Sequence, residues 1–192
     1  MFKRFQLLFS ISRSNLIARR YFVVNGFDGA LTMLGLLMGF YVSNGVVLQM
    51  VITACMGTAI ALAVSGVSSA YISESAEKKQ ELKELEDAMV ADLQESAHGQ
   101  AARFMPFIIA VVNGMAPLLF ALIIMTPLVL ENWQPGLIAY PVETAVLVAF
   151  ILIFLLGVFI GKISDSFWLW AGLRALLIAF ITSLLIYVVG LA

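Results

Sequence analysis

A carboxylate inside an apolar stretch is the feature of this sequence best suited to chemistry. Asp28 lies within the run Tyr21–Gly39, with Asn25 three residues before it and Thr32 four residues after it. In a helix, these spacings place the three polar side chains on one face. An ionised side chain is costly to bury in hydrocarbon, and such residues usually face a bundle interior or an ion path. We therefore predict that Asp28 is a cation or proton site facing the interior of a helix bundle.

The same face continues with small residues. Gly35 and Gly39 follow at steps of three and four, and small residues let a second helix approach closely. We therefore predict that both glycines are helix-packing positions. A structural role for Asp28 is the alternative, because it lies only eight residues, or about 12 Å, beyond Arg20. In that case the carboxylate would pair with Arg20 or Arg19 at the membrane surface.

Three further residues complete the predicted transport site. Met33 carries a thioether, a soft ligand that suits a transition metal, although methionine is also an ordinary packing residue. Ser65 and Ser69 belong to a small, hydroxyl-rich run at the end of the second apolar stretch, where close helix packing is expected. The predicted transport site therefore comprises Asp28, Asn25, Thr32, Met33, Ser65 and Ser69.

A second set of carboxylates lies in the one long polar segment. Its members follow steps of three and four residues with one interruption, so they form one stripe of a helix. Carboxylate oxygens suit divalent cations, and Asp28 together with this stripe is the predicted metal-binding set. The alternative is a solvated helix face held by pairs such as Glu74 with Lys78. The stripe consists of Glu74, Glu77, Glu81, Glu84, Asp92 and Glu95.

Composition identifies the class of protein. Of 192 residues, 62% are hydrophobic and only 12% are charged, whereas soluble domains are about a quarter charged. With the single cysteine, Cys55, no disulfide can form within one chain. The sequence contains no metalloprotease motif, phosphate loop or nucleophile–base pair, so we do not expect an enzyme. The basic residues are sparse and juxtamembrane, so we expect no nucleic-acid partner.

The predicted fold is all-α, a polytopic membrane protein with five transmembrane helices. Residues 1–20 are predicted to form an amphipathic helix at the membrane interface, and residues 21–72 the first two spans. Residues 73–103 are predicted to form a short acidic helical segment in the cytoplasm, broken by Gly99 before the third span. Residues 104–192 hold spans three to five, with Pro117 expected to kink or break the third.

The basic residues predict the orientation. All eleven Lys and Arg residues fall on one side of the predicted spans, and the opposite loops have none. The positive-inside rule then places the N-terminus and the acidic segment in the cytoplasm. The C-terminus is predicted to lie outside, in a multi-pass protein of the cell membrane.

Several stretches resemble the vacuolar iron transporter family of iron and manganese transporters. The run Asn25–Thr32 with its following glycines is similar to the first-span signature of that family, and Tyr71-Ile72-Ser73 resembles the end of its second span. The closing Tyr187-Val188-Val189-Gly190 fits as well. In place of a methionine and a glutamate usual in the second span of the family, this chain has Gly66 and Ala70.

The resemblance implies a homodimer with its metal path at the first two spans of each subunit. It implies export of Fe²⁺ or Mn²⁺ from the cytosol, in exchange for protons, with no tightly bound cofactor. Asp28 corresponds to the membrane carboxylate of the family, and the stripe from Glu74 to Glu95 corresponds loosely to its metal-collecting segment. The alternative function is a membrane scaffold of the same fold that binds or regulates but does not transport.

Overall fold

Five helices make up the computed structural model, which describes residues 14–43, 45–164 and 166–190. No strand occurs within these residues, so the prediction of an all-α fold is confirmed. All five helices are long and apolar enough to cross a membrane, and the chain is a multi-pass membrane protein. The helices are α1 (Ser14–Val42), α2 (Leu48–Met89), α3 (Ala97–Trp133), α4 (Pro141–Ile163) and α5 (Trp168–Gly190).

Two predicted boundaries are not helix boundaries in the structure. Residues 14–20 form the first turns of α1, so no break separates an interfacial helix from the first span; residues 1–13 of that predicted helix lie outside the described residues. The second span likewise continues into the acidic segment, because α2 has 42 residues and is about 63 Å long. Since hydrocarbon is about 30 Å thick, residues 73–89 extend beyond the membrane-spanning part. We call them the arm.

The turn after the arm lies earlier than the sequence suggested. The chain leaves α2 at Val90, whose φ is 51°, and Gly99 lies inside the first turn of α3, so the prediction that Gly99 breaks the segment is wrong. Ser96 begins the new helix, because its Oγ accepts the backbone N–H of His98 and Gly99 at 3.1 and 3.3 Å. The Glu86 carboxylate also accepts the N–H of Leu93 at 3.0 Å, which closes the turn.

The third helix is continuous through its prolines. Pro106, Pro117 and Pro127 all lie within α3, so Pro117 does not break it. Small residues bring neighbouring helices together elsewhere in the fold. A Cβ atom added to Gly157 of α4 would lie 2.5 Å from the Ala175 Cβ of α5, so those two helices are in close contact.

The chain divides into two compact units, each containing parts of α1, α2 and α3. The first comprises the described residues up to Phe22 together with Ala63–Met115, and we call it the arm unit. The second comprises Val23–Leu62 together with the described residues from Ala116 onward, and we call it the span unit. The span unit has a core of fully buried side chains that includes Met33, Leu37, Ile124, Leu128 and Ile153.

Candidate functional site

Asp28 lies in the span unit, on the outer face of α1. Its side chain and that of Thr32 are exposed, and the Thr32 hydroxyl donates to the backbone carbonyl of Asp28 at 2.7 Å. Asn25, one turn earlier, is half-buried. The prediction that this face packs into the interior of the bundle is therefore wrong for the single chain. The structure does place the three polar side chains along one side of the helix, as the spacing required.

Met33, Gly35 and Gly39 do not have the surroundings that the sequence predicts. Met33 is 0% exposed, so its sulfur belongs to the core and not to the Asp28 face. A Cβ atom added at Gly39 would meet nothing within 4 Å, and one at Gly35 would make only an ordinary contact with Ile186 at 3.4 Å. Neither glycine is therefore a position of close packing within the chain. Gly39 faces open space on the single chain.

Two other glycines, Gly26 and Gly29, are the positions where α1 packs closely against α3. A Cβ atom added at Gly26 would lie 2.5 Å from the Phe120 ring, and one at Gly29 would lie 2.6 Å from the Pro117 backbone. Gly26 and Gly29 are spaced three apart, and Met33 continues their face at a step of four. That spacing of three and four indicates the inner face of α1, and Asp28 lies on the opposite side of the helix.

The predicted serines and a neighbouring glycine lie in the arm unit. Ser65 and Ser69 are exposed on α2, and the Ser69 hydroxyl donates to the Gly66 carbonyl at 3.4 Å. The same Gly66 carbonyl accepts a hydrogen bond from the buried side-chain amide of Asn113 at 2.7 Å. A Cβ atom at Gly66 would lie 3.1 Å from the Gly114 Cα. Gly66 therefore lies at a close approach of α2 and α3.

Three of the six acids of the stripe make local contacts. Glu77, Glu81, Glu84, Asp92 and Glu95 are exposed. Glu81 pairs with Lys78 at 2.6 Å, so the predicted pair of Glu74 with Lys78 is wrong. Gln80 donates to Glu84 at 3.0 Å, and Asp92 accepts the Gln94 N–H at 2.9 Å. Within the described residues, no group of three or more potential ligands could hold a metal ion, so the single chain contains no ready-made cluster there.

Glu74 differs from every other member of the stripe. It is only 2% exposed, and its Oε2 atom is buried without a hydrogen-bond partner among the described residues. The hydroxyl of Tyr21, on α1, hydrogen-bonds to the Glu74 carboxyl group. Burial raises the pKa of Glu74; the Tyr21 hydrogen bond opposes that shift, and the charge of Glu77 adds to it. A buried carboxyl group therefore lies where the arm begins.

Beside this carboxyl group, the arm contains a partly polar cavity. Lys78 is 7% exposed and contributes to a cavity of about 240 Å³ that Glu81 and His98 also line. The cavity lies within the arm unit, between the arm and the first turns of α3. His98 is exposed, in agreement with its position near a helix end. One side of the arm, which includes Leu82 and Leu85, therefore lies next to the first turns of α3.

Comparisons with known proteins give no relatives. No protein-family model matches the chain, and neither a curated protein nor a solved structure does so.

Proposed function

We propose that this chain is a homodimeric transporter that exports Fe²⁺ or Mn²⁺ from the cytosol across the cell membrane in exchange for protons. The exposure of Asp28 is the observation that supports it best. Asp28 lies fourteen residues, or about 21 Å, from each end of α1. Hydrocarbon is a poor environment for a carboxylate at that depth, so the exposed face must meet protein or a water-filled path.

A second copy of the chain is the partner that this face fits best. Two-fold dimers are the commonest assemblies, and a two-fold axis beside α1 would bring two Asp28 carboxylates together. The Thr32 hydroxyl donates a hydrogen bond to the Asp28 backbone carbonyl, which leaves the lone pairs of the Thr32 oxygen available to a cation. Two carboxylates and two hydroxyl oxygens would neutralise and partly solvate one divalent ion.

The donor atoms favour one of the two ions. Met33 is buried in the core, so the Asp28 face offers oxygen atoms and one amide and no sulfur. Oxygen ligands suit Mn²⁺ better than softer metals. We therefore expect Mn²⁺ to be transported at least as well as Fe²⁺.

Two facing carboxylates also provide a reason for proton exchange. Like charges at short distance repel unless a cation or a proton lies between them. When the metal ion leaves, protons would take its place, and when they leave, the metal could return. We propose the outward direction because the resemblance to the iron and manganese transporters implies export from the cytosol. The distribution of basic residues predicts that the arm is cytoplasmic and the C-terminus is outside.

Flux measurements on proteoliposomes test the proposal. Native protein, Asp28→Asn and the control Asp87→Asn would be compared for Mn²⁺ and Fe²⁺ flux under a proton gradient, with folding checked by circular dichroism. Asp87 is an exposed carboxylate of the arm outside the acidic stripe, so its loss controls for a change in net charge. We expect flux to disappear only in Asp28→Asn. A folded native chain without flux under either gradient direction would favour the scaffold alternative.

Crosslinking tests the facing arrangement separately. Thr32→Cys would be introduced together with Cys55→Ser, so that the new thiol is the only one in each chain. A disulfide requires Cα atoms within about 7 Å, so rapid oxidation to a covalent dimer is the expected result. A control cysteine at Leu155, exposed on α4, should remain monomeric. Crosslinking at the control position alone would contradict the proposed dimer.

A further inference from the structure

We infer that Glu74 is a proton-binding site that joins the beginning of α1 to the arm through Tyr21. Its proton binding follows from the arm unit alone. Its participation in the exchange of protons for metal rests on the proposed function. The two statements can therefore fail separately.

The surroundings of Glu74 favour an uncharged carboxyl group. The side chain is 2% exposed, and no described residue donates a hydrogen bond to Oε2. A buried carboxylate needs several donors or a cation close to it, because losing hydration costs a charged group much more than a neutral one. One tyrosine hydroxyl is the partner that the structure shows. Binding a proton removes the charge and most of this cost.

The nearby basic residue does not neutralise Glu74 directly. Lys78 lies one turn further along α2, and its ammonium group is 2.6 Å from the Glu81 carboxylate. The charged groups that act on Glu74 from its own helix are Glu77, Lys78 and Glu81, two negative and one positive. From α1 it meets Tyr21, which is itself influenced by Arg20. Among the described residues, Lys78 is the basic group that acts on the Glu74 carboxyl group, and it already pairs with Glu81.

Protonation of Glu74 would determine whether water enters the contact between α1 and α2. With the proton bound, the carboxyl group is uncharged and keeps its hydrogen bond with the Tyr21 hydroxyl, so it needs little water. Without it, the carboxylate must gain water or donors, and the contact must open or hydrate. Because Tyr21 precedes Asp28 by seven residues on α1, proton release at Glu74 acts on the helix that carries the proposed transport residue.

Infrared difference spectroscopy on the purified full chain in lipid nanodiscs, without metal, tests the proton site. We expect a carbonyl stretch from a neutral carboxyl group that persists above the pH range in which ordinary exposed carboxyl groups lose their proton and disappears as the pH is raised further, present in native protein and absent in Glu74→Gln. The controls Glu77→Gln and Asp28→Asn should retain it. In Tyr21→Phe the band should move to higher frequency and persist to higher pH, because the lost hydrogen bond favoured the charged form. An unchanged band in Glu74→Gln would overturn the inference.

Flux then separates the two statements. If the chain transports metal, Glu74→Gln should retain flux at one pH but lose most of its dependence on pH, whereas Asp28→Asn should lose flux at every pH. Native protein with the Glu74 band but no flux would leave the proton site standing and remove the proposed function. Flux whose pH dependence is the same in native protein and in Glu74→Gln would overturn the role of Glu74 in the exchange.

Discussion

Asp28 and Glu74 are carboxylates in opposite surroundings, although the sequence places both near apolar helix faces. Asp28 is exposed at the middle of α1, where the single chain would leave it to lipid. Glu74 is buried at the beginning of the arm, where water is near. The charge of Asp28 calls for a group from outside the chain, such as a second copy, a cation or water. Glu74 has its partner inside the chain and calls only for a proton.

Glu74 is expected to affect the folding of one chain, whereas Asp28 is expected to affect the association of two chains. Glu74 contacts Tyr21 on another helix, so a change at Glu74 alters how the chain packs with itself. At Asp28 the backbone carbonyl accepts the hydrogen bond from Thr32, and the exposed carboxylate adds little to the fold of one chain. We therefore expect substitutions at Glu74 to appear in measurements of stability, and substitutions at Asp28 to appear in measurements of dimerisation and flux.

The largest expected effect on stability is that of Gly29→Ala. This substitution tests whether the packing of α1 against α3 determines that Asp28 is exposed. In Gly29→Ala the new methyl group would lie 2.6 Å from the Pro117 backbone, so α1 must move away from α3. Overpacking of this kind costs about 1–3 kcal/mol. In the matched control Gly39→Ala the methyl group meets nothing within 4 Å, and alanine is the better helix former, so unfolding should be unchanged or slightly harder. Equal loss in both variants, measured by denaturation in detergent, would contradict the packing described here.

The face that Gly29 occupies also shows how far the sequence could be interpreted. Five apolar segments predicted five helices, because apolar length is a local property. Which side of α1 faces inward depends on contacts with α3, and no local pattern of Asp28 and Thr32 contains them. Grouping Gly35 and Gly39 with the polar residues predicts that the polar face is the inner one. Gly26 and Gly29, next to Phe120 and Pro117, define the inner face instead.

Glu74 was hard to assign for a related reason. In sequence it is one of six acids at regular spacing, and five of them are exposed as a solvated helix face would be. Its burial depends on α1, whose Tyr21 lies more than fifty residues away in sequence. The four-residue spacing of Glu74 and Lys78 also suggests an ion pair, because that spacing is standard in helices. Glu81 takes this lysine at the equally standard spacing of three.

Removing Glu81 should alter the state of Glu74. In Glu81→Gln, Lys78 loses its ion-pair partner while it remains 7% exposed, and leaving a buried charge unpaired costs about 1–3 kcal/mol. Lys78 would then turn toward Glu74, which favours the carboxylate and lowers the pKa of Glu74. The neutral carboxyl band should disappear at lower pH than in native protein, together with a fall in stability. An unaltered band would show that Lys78 cannot reach Glu74.

The pH dependence of stability should distinguish Glu74 from ordinary carboxylates. Because burial raises the pKa of Glu74, the folded chain holds this proton more tightly than the unfolded chain. Its contribution is complete below the ordinary carboxyl range and is lost as the pH rises through the raised pKa. The free energy of unfolding should therefore fall over that interval in native protein and stay flatter in Glu74→Gln. Asp87→Asn, which removes an exposed carboxylate of the arm and keeps the buried carboxyl group, should follow the native curve.

Tyr21→Phe should have a moderate effect on the same contact. The phenylalanine keeps the ring but loses the hydroxyl that hydrogen-bonds to Glu74, and a hydrogen bond of this kind contributes about 0.5–1.5 kcal/mol. The loss should be smaller in a Glu74→Leu background, where the tyrosine hydroxyl has already lost the carboxyl group. Thermal denaturation of the two single variants and the double variant gives the coupling. Additive effects would contradict a direct Tyr21–Glu74 contact.

The smallest expected effect is that of Asp28→Asn on the folding of one chain. Its side chain is exposed, so in detergent dilute enough to keep the chain monomeric, unfolding should change by no more than about 0.5 kcal/mol. In lipid, where copies associate, the same variant should change the dimer population, because the repulsion between two carboxylates disappears with them. Metal ions should strengthen the native dimer but leave the dimer of the variant unchanged. A large loss of monomer stability would mean that Asp28 supports the fold, which is the role expected of a partner for Arg19 or Arg20.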